Sequence, residues 1–337
     1  TTISISGNFG SLTGTNGTPQ IRTEKTSGTS SVVTVNDATG WTVEYWDSTY
    51  AGGNGASDGT EARPWTGAQA GHELDTFAEG GSNRIAYVKR GSTLAFSYLY
   101  DATDYSGLRI LPYGTGADPI INDGSFRVEL AFNNKGVSDV VLSGLDLRQT
   151  TGGAWVNGDC GGNGSIANPY GRAKYLVFDN LTYTQTTSDT GNANFITVQN
   201  GTLNLGIQFS DVHCWLCDLD MGRRKGQGIL AFVDQWFCFV GGSIVGGLDD
   251  SGTLSRDHHI YGNFTNHGCY RYINFGDGYD IGAGESKAFC INNNIHNDAA
   301  LGAYYLIDGC NITGTHNGLD FSNSNNDDFT PLGNFSD

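Results

Sequence analysis

The chain contains 337 residues with a formal net charge of −17, 38% hydrophobic residues and 50 glycines. This charge repels phosphate backbones, so we expect no nucleic-acid partner. No apolar run reaches the length of about 18 residues that a spanning helix needs, so we expect no membrane insertion. The hydrophobic content suffices for a folded core, and glycine-rich turns between short apolar runs predict an all-β chain.

Residues 1–45 differ from the rest of the chain in their Gly/Thr/Ser character. They contain two alternating runs, at 2–6 and 31–35, that predict short strands. This N-terminal segment is interpreted either as an attachment or oligomerisation segment or as a capping strand or frayed arm. The predicted division is therefore a segment 1–45 followed by one domain, 46–337.

The next elements follow in a recognisable order. A Gly/Asp-rich loop ends at Pro64-Trp65, and the only predicted helix follows at about 65–78. A strand with a basic-Gly turn follows at 84–94, and then a strand pair around the Tyr-Gly-Thr-Gly run at 113–116. This order resembles the opening of pectate-lyase-like right-handed parallel β-helix proteins, of the phage tailspike and polysaccharide-depolymerase type. The resemblance covers roughly 45–320 and implies that fold, a groove for a polysaccharide that is usually acidic, and a homotrimeric assembly.

Later segments repeat one template of three apolar residues, a polar pair and a Leu-led alternation. The predicted copies are 140–147, 176–183, 213–220, 236–245, 288–295 and 305–312. Each copy predicts a strand, a tight turn and a second strand, and such units bury their apolar side chains only by stacking into a solenoid. A β-sandwich or jelly roll is the competing architecture, but it prefers alternating hairpins over one repeated unit. The fold prediction is an all-β, right-handed parallel β-helix with a small N-terminal polar or capping segment.

One dense cluster of carboxylates, histidine and tyrosine predicts a catalytic site. It comprises Asp249, Asp250, Asp257, His258 and Tyr261, with Arg256 as a substrate-binding residue. These groups supply general acids and bases for hydrolysis or β-elimination. Adjacent histidines on a strand point to opposite faces, so at most one of them serves the groove. The alternative is an exposed turn beside hydrogen-bonded and core residues.

A second predicted site is the only dense basic run in this acidic chain. Arg223 is assigned to substrate binding, and Arg224 and Lys225 to catalysis. A lyase needs a cation to neutralise a uronate carboxylate and a base to abstract the neighbouring proton. The alternative is a solvated turn.

Aromatic rings stack on sugar rings, so they are further candidates for substrate contact. The candidates are Trp155, Trp215, Trp236, Tyr270 and Tyr272, of which Trp215 and Tyr270 are assigned to substrate binding. Oxygen ligands at 277–280 and 325–328 lack EF-hand spacing. We expect no metal ligand set and no cofactor, with Ca²⁺ kept as an alternative.

The cysteine count and the amino terminus bear on the compartment. Seven cysteines are an odd number, which fits poorly with a complete disulfide framework, and several lie inside apparent strands. The start at Thr1 lacks a charged region followed by an apolar one. We therefore expect reduced thiols and a phage virion (tail) protein, with a secreted product after signal removal as the alternative.

These observations lead to three functional hypotheses. The first is a tailspike-like virion protein that binds, and in a stronger form cleaves, a host cell-surface polysaccharide, as a homotrimer or beside other virion proteins. The second is a secreted bacterial polysaccharide lyase or glycoside hydrolase of the same fold. The third is a structural or adhesive β-helix without catalysis.

Overall fold

The structure is a computed structural model. It describes the backbone of residues 20–23, 31–34, 40–96, 105–123, 131–132, 135–149, 153–159, 176–185, 193–199, 211–220, 229–231, 236–246, 248–249, 258–263, 267–276, 279–280, 289–294, 304–312 and 319–320. Side-chain surroundings are described for 40–53, 55–96, 107–122, 139–149, 177–185, 213–220, 238–246, 269–276, 306 and 308–311.

The described elements are almost all strands. The first half of the chain contains β1 (Gln20–Thr23), β2 (Ser31–Thr34), β3 (Thr42–Trp46), the 3₁₀ turn Asn54–Ala56, α1 (Leu74–Glu79), β4 (Arg84–Lys89), β5 (Thr93–Ala95), β6 (Tyr105–Tyr113), β7 (Ile120–Asp123), β8 (Ala131–Phe132), β9 (Lys135–Ser143), β10 (Asp146–Gln149) and β11 (Gly153–Asp159). The second half contains β12 (Leu176–Asp179), β13 (Thr182–Gln185), β14 (Ala193–Gln199), β15 (Asp211–Asp220), β16 (Ile229–Ala231), β17 (Trp236–Val245), β18 (Leu248–Asp249), β19 (His258–Asn263), β20 (His267–Arg271), β21 (Asn274–Phe275), β22 (Tyr279–Asp280), β23 (Phe289–Asn294), β24 (Tyr304–Asp308), β25 (Asn311–Ile312) and β26 (Leu319–Asp320).

Equivalent strands of successive repeats pair in parallel. Together they form three faces of the solenoid. Sheet I runs β3-β4-β6-β9-β12-β15-β17-β20-β24, and sheet II runs β5-β7-β10-β13-β15-β17-β21-β25. The long strands β15 and β17 pass through both sheets. Sheet III runs β11-β14-β16-β19-β23-β26. Because successive repeats add one strand to the same sheet, the chain is an all-β parallel solenoid, as predicted.

We number the coils by their sheet I strands. Coil 1 holds β3, coil 2 β4, coil 3 β6, coil 4 β9, coil 5 β12, coil 6 β15, coil 7 β17, coil 8 β20 and coil 9 β24. Neighbouring parallel strands lie about 4.8 Å apart, so this is also the step from one coil to the next.

Apolar side chains of like position stack through the interior. On sheet I the inward ladder is Ala86, Ile110, Leu142, Phe178, Cys214, Phe239 and Tyr270. On sheet II it is Leu94, Ile121, Leu147, Tyr183, Leu219, Ile244 and Phe275. All of these residues are buried in one continuous core. The period of two along each strand leaves the intervening positions to the outer surface.

In coils 4 to 9 a left-handed residue at one equivalent position turns the chain from sheet I to sheet II. This corner row consists of Gly144, Asn180, Leu216, Gly241, Tyr272 and Gly309, all with φ between 50° and 69°. Glycine and asparagine adopt this conformation readily, whereas leucine and tyrosine adopt it at a cost of about 1–2 kcal/mol. Coils 6 and 8 therefore hold strained residues at this corner.

The predicted repeat copies are confirmed at five positions and corrected at one. Residues 140–147, 176–183 and 305–312 each carry strand, turn and strand of sheets I and II, whereas in 213–220 and 236–245 one continuous strand passes through both sheets. In contrast, 289–294 is one uninterrupted strand of sheet III, paired with β19 and β26. The copy that belongs to coil 8 is 267–275, where β20 and β21 flank Tyr272.

The helix lies at the beginning of the stack. It covers Leu74–Glu79, which is the last part of the predicted range and one residue beyond it, and buries Leu74, Phe77 and Ala78. The ring of Phe77 meets that of Trp46 edge-on, with centroids 4.9 Å apart. The helix thus places apolar side chains against the core of the first coils. No helix in the described part of the chain is long and apolar enough to cross a membrane.

The predicted N-terminal segment contains two kinds of structure. Strands β1 and β2 form an antiparallel pair. Strand β3, which spans the predicted boundary at 45, pairs in parallel with β4 in sheet I.

Candidate functional site

The outward positions of sheet I form one continuous row along the stack, which we call the outer row. In coil order it contains Val43, Ile85, Arg109, Val141, Val177, His213, Cys238, Cys269 and Leu306. Ile85 in coil 2 is only 2% exposed, whereas Leu306 in coil 9 is 52% exposed. The same structural position is therefore buried at one end of the stack and exposed at the other. We call coils 2 to 4 the sealed end and coils 6 to 9 the open end.

The sealed end is held by an ion pair and an apolar cluster. The guanidinium of Arg109 donates to a carboxylate oxygen of Asp139 at 2.7 Å and also to the backbone carbonyl of Asp139. It lies 5.1 Å from the ring centroid of Trp41. Ile85 and Val141 pack in a small outer cluster beside them. Arg109 and Asp139 are paired with each other, and the buried side chains around them offer little surface to a ligand.

The open end carries exposed apolar side chains. Among the described residues the exposed large apolar side chains are Leu216, Tyr272 and Leu306, at 40%, 54% and 52%. Trp215 is partly buried, and its ring is parallel to that of His213, with the two centroids 6.3 Å apart. We define the corner surface as Trp215, Leu216, Arg271, Tyr272 and Asp308.

The strained corner residues owe their orientation to glycines in the next coil. A Cβ on Gly241 would lie 2.5 Å from Cδ2 of Leu216, and one on Gly309 would meet the ring of Tyr272. Each large side chain therefore extends over a glycine of the following coil, where only glycine leaves room. This packing fixes the Leu216 and Tyr272 side chains at the surface, and such strain persists where the surrounding structure imposes it.

An ion pair borders the exposed tyrosine. Arg271 donates from Nη2 and Nε to one carboxylate oxygen of Asp308, at 2.6 Å and 3.0 Å. Its guanidinium also lies 4.9 Å from the ring centroid of Tyr272. The hydrogen bond to Asp308 is the largest cause that raises the pKa of Arg271, so the guanidinium stays protonated. The corner surface thus combines apolar faces with a neutralised charge pair.

A tyrosine cluster occupies the outer face of coils 1 to 3. The rings of Tyr45 and Tyr87 stack with centroids 5.1 Å apart, and Tyr113 meets Tyr45 edge-on at 5.2 Å. Burial, followed by the charges of Asp47 and Glu61, raises the pKa of Tyr113 to about 12. This phenol therefore stays protonated at neutral pH and is not poised as a base.

Asp47 lies beside this cluster and joins the first two coils. Its carboxylate accepts hydrogen bonds from Lys89 Nζ at 2.6 Å and from the backbone amide of Thr49 at 2.8 Å. Burial raises the pKa of Asp47, but these hydrogen bonds outweigh burial and hold it below its usual 3.8. The charges are matched inside the chain, which gives this region a structural role.

Comparison with protein-family models, with curated proteins and with solved structures finds no match to this chain. The fold and the candidate site therefore rest on this chain's own strand pairing and side-chain geometry.

The structure separates the two aromatic residues predicted to bind substrate. Trp215 lies on the outward side of β15 at the corner surface, as a substrate contact requires. Tyr270 is 4% exposed and packs in the core. An interior ring cannot stack on an external sugar, so Tyr270 does not fit the predicted contact. Tyr272, two residues later, is exposed because the corner turn intervenes.

The predicted catalytic cluster belongs to other parts of the solenoid. His258 and Tyr261 lie on β19 in sheet III, with Phe289 and Asn292 as register partners in β23. Asp249 lies on β18, whose partner strand β22 places Asp280 in register with it. The backbone thus assigns this cluster to different strands from those that carry the corner surface.

Several predicted site residues lie outside the described part of the chain. They are Arg223, Arg224, Lys225, Asp250, Arg256 and Asp257. The roles assigned to them stay predictions.

Metal-binding and thiol chemistry complete the inventory of the site. Within the residues whose placement is described, no group of three His, Cys, Asp or Glu side chains is arranged to hold a metal ion. The described cysteines, all with free thiols, are Cys214, Cys217, Cys238, Cys269 and Cys310.

Sequence reasoning missed Leu216, Arg271 and Asp308. The signal available for them was their position beside the turn of each repeat.

Proposed function

We propose that this chain is a tailspike-like virion protein that binds a host cell-surface polysaccharide at the corner surface. The observation that carries the proposal is the exposed apolar row of coils 6 to 8, in which Trp215, Leu216 and Tyr272 face outward. Exposed apolar side chains in fixed conformations are typical of binding surfaces rather than of inert ones.

The solenoid suits an elongated ligand. Equivalent outward positions recur at each coil, about 4.8 Å apart. Leu216 and Tyr272 occupy the same corner position two coils apart, and the small residue Gly241 lies between them. A polysaccharide aligned with the stack contacts these side chains in succession, with sugar rings packed on the aromatic faces of Trp215 and Tyr272.

Charge favours a neutral sugar chain over an acidic one. The net charge of the protein is −17, and on the corner surface the guanidinium of Arg271 is already bound to Asp308. An acidic sugar therefore competes with Asp308 and is repelled by the overall field. The acidic ligand implied by the family resemblance is thus less suited to this surface.

The free thiols support the virion part of the proposal. Structural disulfides are characteristic of secreted proteins, whereas cytosolic assembly keeps thiols reduced. The five described cysteines are free, and two of them, Cys214 and Cys217, serve as buried core residues. Such usage agrees with a particle protein that assembles in a reducing cytosol.

A glycan array with neutral and acidic cell-surface polysaccharides tests the binding, followed by calorimetry on the strongest hit. Tyr272→Asn removes the ring while keeping a residue that tolerates the left-handed conformation. Trp215→Ala removes the second ring. We expect each variant to bind about tenfold more weakly, a loss of about 1.4 kcal/mol.

The matched control is Thr182→Ala, an exposed outward residue on sheet II of coil 5. It should leave the affinity unchanged. Equal affinities for all three variants and the wild type would contradict the site, and an array without a hit would contradict the function.

Analysis of the bound glycan after incubation decides whether catalysis accompanies binding. Unsaturated products that absorb in the ultraviolet indicate a lyase, and new reducing ends without that absorbance indicate a hydrolase. Intact glycan indicates binding alone.

A further inference from the structure

Two cysteines face each other on the outer row of neighbouring coils. Cys238 on β17 and Cys269 on β20 are register partners in parallel strands. Such strands lie about 4.8 Å apart, inside the range of about 4.4–6.8 Å that separates the Cα atoms of disulfide-bonded cysteines. Both side chains are partly exposed, whereas the inward neighbours Phe239 and Tyr270 belong to the core. Backbone spacing and access thus both permit a cross-link.

The two sulfurs also interact with each other and with a cation. Burial, followed by the neighbouring sulfur of Cys269, raises the pKa of Cys238 to about 12, and Arg271 acts in the opposite direction. The Cys238 thiol therefore stays protonated at neutral pH and lies within hydrogen-bonding reach of Cys269. The pKa of Arg271 is raised chiefly by Asp308 and in smaller part by Cys269. A positive charge beside a partly exposed sulfur is the environment of reactive cysteines.

We propose that Cys238 and Cys269 form a reversible oxidation site, which closes a disulfide between coils 7 and 8 by exchange with a low-molecular-weight disulfide. The proposal does not depend on polysaccharide binding.

The exchange balances in two steps. The Cys269 thiolate attacks one sulfur of the small disulfide, which forms a mixed disulfide and releases one small thiolate. Cys238 then loses its proton and attacks the Cys269 sulfur, which releases the second small thiolate. The two protein thiols are oxidised to one disulfide, the small disulfide is reduced to two thiols, and the protons of the two cysteines go to them.

A second thiol pair in the same fold provides an internal comparison. Cys214 and Cys217 lie on β15 on either side of Leu216, and both are fully buried. Burial raises the pKa of Cys214 well above its usual value. The Cys217 thiol donates to the carbonyl of Phe178 at 3.3 Å. A small disulfide cannot reach this pair, so it stays reduced while the chain is folded.

The cross-link has a structural consequence. It closes the chain between 238 and 269, and this interval includes β18 and β19 with Asp249, His258 and Tyr261. Oxidation therefore links coil 7 covalently to coil 8, and the two linked residues flank the segment that carries the predicted catalytic cluster.

The test treats the folded, full-length chain with oxidised glutathione, then alkylates the remaining thiols in denaturant and maps the peptides by mass spectrometry. We expect one linked peptide pair joining Cys238 and Cys269, formed with the loss of the two free thiols of these residues. Cys214 and Cys217 should be recovered as alkylated thiols.

Two variants separate the steps. Cys238→Ser should stop the reaction at a glutathione adduct on Cys269, and Cys269→Ser should reduce the rate of thiol loss by at least about tenfold. Thermal unfolding followed by circular dichroism confirms that each variant folds, and Cys238→Ala replaces Cys238→Ser if it does not. A linkage to another cysteine, a persistent glutathione adduct in the wild-type chain, or no loss of thiols would overturn the proposal.

Discussion

Coils 2 to 4 and coils 6 to 9 share one backbone plan but differ on the outside of sheet I. In the outer row, Ile85 and Arg109 are 2% and 6% exposed, whereas Leu306 is 52% exposed. Inside the stack both regions carry the same kind of apolar ladder. The inward positions are constrained by the core, and the outward positions are free to be sealed in one region and left open in the other.

This difference separates stability from recognition along the same solenoid. Charges of the first coils are matched within the chain, as in the pairs Asp47–Lys89 and Arg109–Asp139. Apolar side chains of the later coils instead face solvent on strained turns. We therefore expect substitutions on the outer face to affect folding at the sealed end and binding at the open end.

The largest contrast is expected for aliphatic residues of the outer row. Ile85→Ala deletes buried methyl groups and should lower the free energy of unfolding by about 3 kcal/mol. Leu306→Ala, at the exposed end of the same row, should change it by less than about 0.5 kcal/mol. Urea denaturation followed by circular dichroism measures both. Equal losses in the two variants would mean that the two ends of the row do not differ.

The two arginine–aspartate pairs sharpen the comparison. Arg109→Ala removes a buried guanidinium, its packing on Trp41 and the partner of Asp139, and we expect a loss of about 2 kcal/mol. Arg271→Ala breaks a solvent-exposed pair, so we expect the urea midpoint to stay unchanged within error. A larger shift for Arg271→Ala than for Arg109→Ala would contradict the proposed roles.

The corner row offers a smaller contrast. Gly144→Ala introduces a Cβ at φ 63° that would lie 2.9 Å from Cγ of Pro112, and we expect it to cost about 1–2 kcal/mol. Leu216→Asn trades a strained leucine for a residue suited to that conformation, so relief of strain offsets the lost contact with Gly241. Its unfolding temperature should therefore stay close to that of the wild type, and a large decrease would show that the leucine is structural.

The smallest effect concerns pH. The pKa of Asp47 is lower in the folded chain than its usual 3.8, so its contribution to stability is present above the unfolded-state pKa of about 3.9. It is lost as pH falls through the folded pKa. Urea midpoints between neutral and acidic pH should decrease more steeply for the wild type than for Asp47→Asn, and parallel curves would exclude this contribution.

The sequence was sufficient to predict strands and turns where each repeat follows the template. In 140–147 and 176–183, three apolar residues, a polar pair and a second strand coincide with the observed elements. The copy at 267–275 escaped detection because Gly268 and Arg271 interrupt its apolar run. The Asn run at 292–294 was interpreted as a turn but is paired on both sides within sheet III.

The candidate site was less predictable than the fold, for a physical reason. Tyr270 and Tyr272 are two residues apart and would share one face of a regular strand. The left-handed turn at Tyr272 breaks that periodicity, so one ring is buried and the other is exposed. Exposure of the outer row likewise depends on what packs against it. Val141 and Leu306 are both apolar in sequence, yet only Val141 is buried.

The most direct test of the central claim is hydroxyl-radical footprinting of the chain with and without the glycan selected by the array. We expect the bound glycan to protect Trp215 and Tyr272 from oxidation and to leave Tyr87 at the sealed end unchanged. Protection confined to β19, at His258 and Tyr261, or protection at neither site while the glycan is bound, would contradict recognition at the corner surface.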